Sequence, residues 1–213
     1  MALARSLPGV RWIGGGSGAG KSTIARRLAA EFGVRVYDTD HAMSDHVRRL
    51  GEHHAPRLHR FLGKTMDERW LSPEPDEMLE SFHWFAGEGF DLMVDDVKEL
   101  VDHGPVIAEG FRLLPDSVAP LLDDERDAVW LLPTPSFRRM AFDRRGSLWT
   151  IAGSTSDPQR ALENLLERDR LFTDRLRHDV SRLGLAAVEV GVGDTEDDVY
   201  ARVVDRLRPI ERS

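Results

Sequence analysis

The sequence predicts an α/β fold of three layers, in which a five-stranded parallel sheet lies between two layers of helices. Three observations predict it. Five short apolar runs recur along the 213 residues, and segments with helical periodicity separate them. The first run enters a glycine loop that opens a helix. The runs read as strands buried on both faces, as parallel strands are.

Residues 10–13 form the first strand. Ile24, Leu28 and Phe32 repeat at i, i+4, i+8 with Ala25 and Ala29 beside them, which predicts a helix that Gly33 stops. A second strand follows at 34–37. Residues 41–104 contain no convincing strand and read as a helical insertion broken near Gly63 and at 72–75, with one long amphipathic helix from about Asp76 to Val101. Strands resume at 105–108 and at 128–132, on either side of a helical turn at 117–122. An arginine-rich helix is expected over 135–145, a mobile loop over 146–158, and a long helix over 159–183. Residues 185–190 supply the fifth strand. Thr195 caps a last helix whose buried stripe is Val199, Val203 and Leu207, ahead of Pro209. No repeat or linker interrupts the chain, so residues 1–213 read as one domain.

Composition narrows the function. Hydrophobic residues make up 41% and charged residues 31%, which excludes fibrous and disordered classes. The chain has no cysteine, so disulfides, thiolate metal sites and cysteine nucleophiles are excluded. No apolar stretch approaches the roughly 18 residues of a membrane span, and the first eight residues lack a signal peptide's apolar region, so a cytoplasmic location is expected. Twenty-nine basic against 37 acidic residues give a net charge of −8, which disfavours nucleic acid as a partner.

The chemistry is carried by Gly15-Gly16-Ser17-Gly18-Ala19-Gly20-Lys21-Ser22, which satisfies G-x-x-x-x-G-K-[ST] between a predicted strand and a predicted helix. The glycines let backbone N–H groups turn toward a polyphosphate, and the helix N-terminus adds its partial positive charge. Lys21 is expected to reach the β- and γ-phosphates, Ser22 to ligate Mg²⁺, and Thr23 to face the α-phosphate. ATP and Mg²⁺ are the cofactors expected.

The loop and the order of segments around it resemble the P-loop kinases of the nucleoside monophosphate kinase and shikimate kinase type. That family's plan has an acidic end to the second strand, here Asp38-Thr39-Asp40, then a helical acceptor-binding insertion, here about 41–104. A third strand with an acidic end, Glu109-Gly110, and an arginine-bearing lid within about 138–170 complete it. The resemblance implies the strand order 2-3-1-4-5. The chain lacks the arginine-x-aspartate-aspartate lid pattern of adenylate kinases, and it has neither the guanine motif of GTPases nor the signature helix of transporter ATPases.

In an extended strand Asp38 and Asp40 share one face, beside the phosphate loop. By the resemblance one of them is the acceptor-binding base, with Asp40 preferred; the alternative is that they end the strand and cap a helix starting at His41. Glu109 resembles the acidic position that holds Mg²⁺ together with Ser22, and Arg112 can grip an anionic group of the acceptor or form a surface ion pair. Among the arginines flanking the lid, Arg138, Arg144 and Arg168 are the candidates to neutralise the transferred phosphoryl group, with Gly146 and Gly153 as hinges. Phe82, His83, Trp84, Phe85 and Phe90 read first as helix core and second as an acceptor pocket.

The function expected is transfer of the γ-phosphoryl of Mg·ATP to a small-molecule acceptor. A hydroxyl acceptor (nucleoside, sugar, vitamin or antibiotic) ranks above a nucleoside monophosphate, because the Asp38/Asp40 pair suits deprotonation better than phosphate binding. The alternative is an ATP-binding switch that acts on a protein partner, which an enclosed acceptor cavity would argue against. The residues leave the oligomeric state open.

Overall fold

The computed structural model describes residues 6–145 and 147–210, without the side chains of 144, 145 and 147–149. In chain order, β1 (Val10–Gly15), α1 (Lys21–Phe32) and β2 (Arg35–Asp38) form the first β-α-β unit. Five short helices follow: α2 (Met43–Arg49), α3 (Pro56–Leu62), α4 (Met66–Trp70), α5 (Pro75–Ser81) and α6 (Phe90–Val101). Then come β3 (Val106–Glu109), α7 (Pro115–Val118), β4 (Ala128–Pro133), α8 (Pro135–Arg145), α9 (Ser147–Ala152), α10 (Pro158–Arg182), β5 (Ala186–Val190) and α11 (Glu196–Arg206).

All strand pairs are parallel and the order is β2-β3-β1-β4-β5, as expected. The three central strands β3, β1 and β4 are buried along their whole length. On one face Trp12, Trp130 and Phe172 pack with Met93 and Val97 of α6. On the other, Ile13, Ile107 and Leu131 pack with Ile24 and Leu28 of α1 and Val203 of α11. Two apolar layers on one sheet explain why these strands show no alternation. A separate cluster joins Trp70 and Met78 to Phe142, Ala152 and Leu165, so that α4, α5, α8, α9 and α10 share one small core.

The structure corrects two expected elements. The single helix over Asp76 to Val101 is two helices, because Gly87 and Gly89 take left-handed φ values of 79° and 73° and Gly89 starts α6. The break lets His83, Trp84 and Phe85 turn inward, where all three are buried. The loop expected over 146–158 contains α9, whose Ala152 is fully buried in the small core. Thr195 caps α11 as expected, accepting from the Asp198 N–H in a reciprocal capping box. Among the described residues no helix is long and apolar enough to cross a membrane.

Candidate active site

Parallel strands deliver their carboxyl ends to one edge of the sheet, and here β1 delivers the phosphate loop. Glycine is required in it for two reasons. Where β1 runs against β4 there is no room for a side chain: a Cβ at Gly15 would lie 2.1 Å from the Leu131 carbonyl oxygen, and one at Gly16 would lie 2.8 Å from Pro133 and from the Thr173 hydroxyl. Gly20 has φ 86° and stands at the start of α1 in place of a capping side chain, which leaves the first turn of that helix directed at the loop. Lys21 is buried, and its Nζ donates to the Gly16 carbonyl at 2.9 Å, which holds the ammonium under the loop.

Beside Lys21 lie three carboxylates from the ends of β2 and β3. Asp38 pairs in register with Glu109 across the two strands, and Ile13 of β1 pairs with Glu109 from the other side. The Asp38 carboxylate accepts the N–H groups of Asp40 (2.9 Å) and His41 (3.0 Å), so Asp38 closes the turn. The single-face geometry expected for Asp38 and Asp40 does not occur, since β2 ends at Asp38 and the chain turns there. Thr39 is fully buried, tied by its N–H to the Glu109 carbonyl, and its hydroxyl donates to Asp40 at 3.3 Å. Asp40 is exposed as a residue but has protein atoms around its carboxyl group. Loss of hydration raises its pKa, Lys21 opposes the rise, and the Asp38 charge adds to it. Glu109 is 1% exposed. Burial raises its pKa too, against a hydrogen bond from the Ser22 hydroxyl and the charge of Lys21.

Three carboxylates against the Lys21 ammonium and the Arg112 guanidinium leave this corner with excess negative charge, which a divalent cation would relieve. Ser22 and Glu109 already meet through a hydrogen bond and offer hard oxygen donors, the set that suits Mg²⁺, a metal that keeps most of its waters and takes few protein ligands.

On the opposite wall, Arg138 of α8 and Arg168 of α10 converge on one carboxylate. Asp169 is 1% exposed, receives the Arg168 Nε at 2.8 Å and pairs with Arg138. Both arginines, two of the three candidates expected to face the phosphoryl group, are buried, and both are engaged by Asp169. Nε and Nη1 of Arg138 and Nη1 of Arg168 have no hydrogen-bond partner among the described residues. Two guanidinium groups share one carboxylate, and one positive charge is left over beside the loop: the Thr173 hydroxyl that crowds Gly16 also donates to the Asp169 carbonyl. The Arg144 side chain and Gly146 lie outside the described residues. Arg112 makes no surface ion pair. It is 2% exposed, its guanidinium lies 3.9 Å from the Trp84 ring centre, and it donates to the Thr39 and Gly89 carbonyls and to His46. Burial pushes its pKa down to about 10.

Two cavities flank the loop. One, of about 560 Å³, is lined by Gly18, Ala19, Gly20 and Thr23 of the loop side, by Phe137 and Met140 of α8, and by Val190 through Glu196. The segment from Val190 to Asp194 after β5 borders it; the α8 wall was not foreseen, because the arginines dominate that helix in the sequence. The other, of about 470 Å³, meets the loop at Ser17 and continues between α2, α3 and α4 to Phe142 and Ile151. Asp169 was also missed, having no sequence signal beyond a place in an arginine-rich helix.

The family model for shikimate kinase matches residues 17–52. No curated protein matches the chain. Among solved structures, the chain is similar to a gluconokinase from Sinorhizobium meliloti 1021 (16% identity, TM-score 0.48, 94% of this chain and 92% of that one). It is also similar to an uncharacterized protein from Eubacterium ventriosum ATCC 27560 (14%, TM-score 0.47, 92% and 96%) and to shikimate kinase from Acinetobacter baumannii in complex with shikimate (16%, TM-score 0.39, 96% and 90%). The shikimate kinase match thus spans most of the phosphate loop, α1, β2 and α2, the part of the chain that brings the loop and the Asp38-Thr39-Asp40 turn together on the 2-3-1-4-5 sheet.

Proposed function

We propose that the chain transfers the γ-phosphoryl of Mg·ATP to the hydroxyl of a small molecule. The observation that carries this reading is the placement of one cavity on each side of the phosphate loop, the first against Gly18–Thr23 and the second against Ser17. A nucleoside in the first and an alcohol in the second would face each other across the phosphates, as in-line transfer requires. A switch protein has no need of the second cavity.

In this reading the loop N–H groups and Lys21 hold the β- and γ-phosphates, and Ser22 and Glu109 would hold Mg²⁺, whose charge would stabilise the transferring phosphoryl group. Asp40 is the base, since it is the exposed carboxylate of the three whose pKa is raised, whereas Glu109 is buried and Asp38 is occupied by its turn. The surplus positive charge of Arg138 and Arg168 faces the migrating group. Arg112 holds the acceptor side together through Thr39, next to Asp40, and is a positioning residue. Residues 41–104 and α8–α9 frame the acceptor as insertion and lid. A cytoplasmic location suits a chain without cysteine.

The test is ADP release from Mg·ATP with pooled alcohols, with Lys21→Ala as control. Acceptor-dependent turnover that the variant loses is the expected result. ATP binding with no acceptor-dependent turnover in any pool would overturn the reading.

A further inference from the structure

Within the kinase reading, on which this inference rests, we propose that the acceptor is an alcohol with an apolar ring body and at most one or two other hydrogen-bonding oxygens, and not a polyol. The cavity at Ser17 has walls of Met43, Val47, Phe61, Trp70, Phe111 and Ile151. Its volume, about 470 Å³, is that of a small-molecule site. The rings around it already form an edge-to-face array: Phe61 meets Trp70 and Phe82 edge to face and His83 at a tilt, at centroid distances of 4.9–5.5 Å. A flat ring system extends such an array.

Polar groups are few: Ser17 at the loop end and the exposed Ser44 supply hydroxyls, and the remaining polar side chains are largely in use. The Asp169 carboxylate is taken by Arg138 and Arg168, and the Arg168 guanidinium lies about 5.2 Å from the Trp70 and Phe82 ring centres. Two buried atoms are open among the described residues: Nη1 of Arg168 and Nδ1 of His83, the latter in a side chain 2% exposed. Burial and the nearby arginines keep that imidazole neutral, with its pKa pushed down to about 3. One or two oxygens on the acceptor would satisfy both atoms. A polyol would bring several hydroxyls to walls that cannot bond them, and each unpaired one costs roughly tenfold in affinity or more. The same walls gain from every apolar carbon they cover. Shikimate and gluconate, with three or more hydroxyls, are therefore poor fits.

The test uses purified full-length protein with Mg·ATP and four probes: 2-naphthylmethanol, methyl 6-(hydroxymethyl)-2-naphthoate, shikimate and gluconate. Phosphoester formation is read by mass spectrometry, and binding by quenching of tryptophan fluorescence, since Trp70 and Trp84 both line the cavity. The naphthyl alcohols should quench and be phosphorylated with a KM at least tenfold below that of either polyol. Val47→Asp should raise that KM at least tenfold and leave the Kd for ATP unchanged; if it does not fold, the half-buried Met43→Gln serves the same purpose. Phosphorylation of a polyol at lower KM than both naphthyl alcohols overturns the inference and leaves the kinase reading intact. Quenching or ATP binding with no phosphoester from any probe or from the pooled alcohols overturns the kinase reading itself, and the inference with it.

Discussion

Nη1 of Arg112 lies 3.0 Å from Nδ1 of His46, in a pair with no exposed surface to speak of. A guanidinium only donates, so Nδ1 must accept and Nε2–H must donate to Asp96, 2.8 Å away. His46 is therefore held neutral in one tautomer, and burial first, then the Arg112 charge, lower its pKa below the ordinary 6.5. His83, shifted the same way, adds to the effect.

A folded-state histidine pKa below the unfolded value means that the unfolded chain binds more protons in the interval between them. Stability is then full above about pH 6.5 and falls as pH falls below it, by up to about 1.4 kcal/mol per pH unit for each such histidine. Urea unfolding at pH 8, 6.5 and 5 should show this decline, and His46→Gln should make it shallower. A wild-type curve flat from pH 8 to 5 would contradict the tautomer assignment.

Asp169 holds two buried guanidinium groups, so Asp169→Asn should destabilise the fold by about 3–5 kcal/mol, the usual cost of stranding buried charge. Adding Arg138→Met removes one of the stranded charges and should recover part of the loss. Thermal melts of the single and double variants decide it: a double variant no more stable than the single would show that charge is not the reason.

Asp40→Asn should lower kcat by about 10²–10⁴-fold with little change in ATP binding. In the wild type, log kcat should rise with pH through the pKa of Asp40, which lies above the ordinary aspartate value, and level off where the carboxylate is fully ionised. The variant should lack that limb. Retention of the limb would transfer the base role to Glu109, the other carboxylate with a raised pKa.

Glu109→Gln should raise the Mg²⁺ concentration needed for half-maximal turnover, while binding of metal-free ATP, measured by calorimetry, stays the same or tightens as a negative charge leaves the corner. Equal weakening with and without metal would make Glu109 a structural residue.

Lys21→Ala should reduce kcat by about 10²–10³-fold, the scale of losing one charge-stabilising donor. Thermal melting of the variant, read alongside, separates this loss from unfolding, because Lys21 is buried and also holds the Gly16 carbonyl.

Local rules carried the reading far where the chain makes its own structure. The phosphate loop, the stop at Gly33, the cap at Thr195 and the strands at 10–13 and 128–132 depend on neighbours in sequence: turn conformation, first-turn N–H groups, unbroken apolar runs. The strand order followed from the family resemblance and is present in the sheet. Partnering is different, because it joins residues far apart in the chain. Arg138 and Arg168 stand out in the sequence as phosphate candidates, but the Asp169 carboxylate that they share does not, and Arg112 reads equally as an acceptor grip or a surface cation until Trp84, His46 and Thr39 enclose it. The run Phe82–Phe85 reads as helix core, yet the two left-handed glycines that follow turn it into a wall of the Ser17 cavity. Sequence alone determined that β1 ends in a glycine loop shaped for a polyphosphate. What lies opposite that phosphate was decided by tertiary packing, since burial and charge pairing are set by which distant side chains meet.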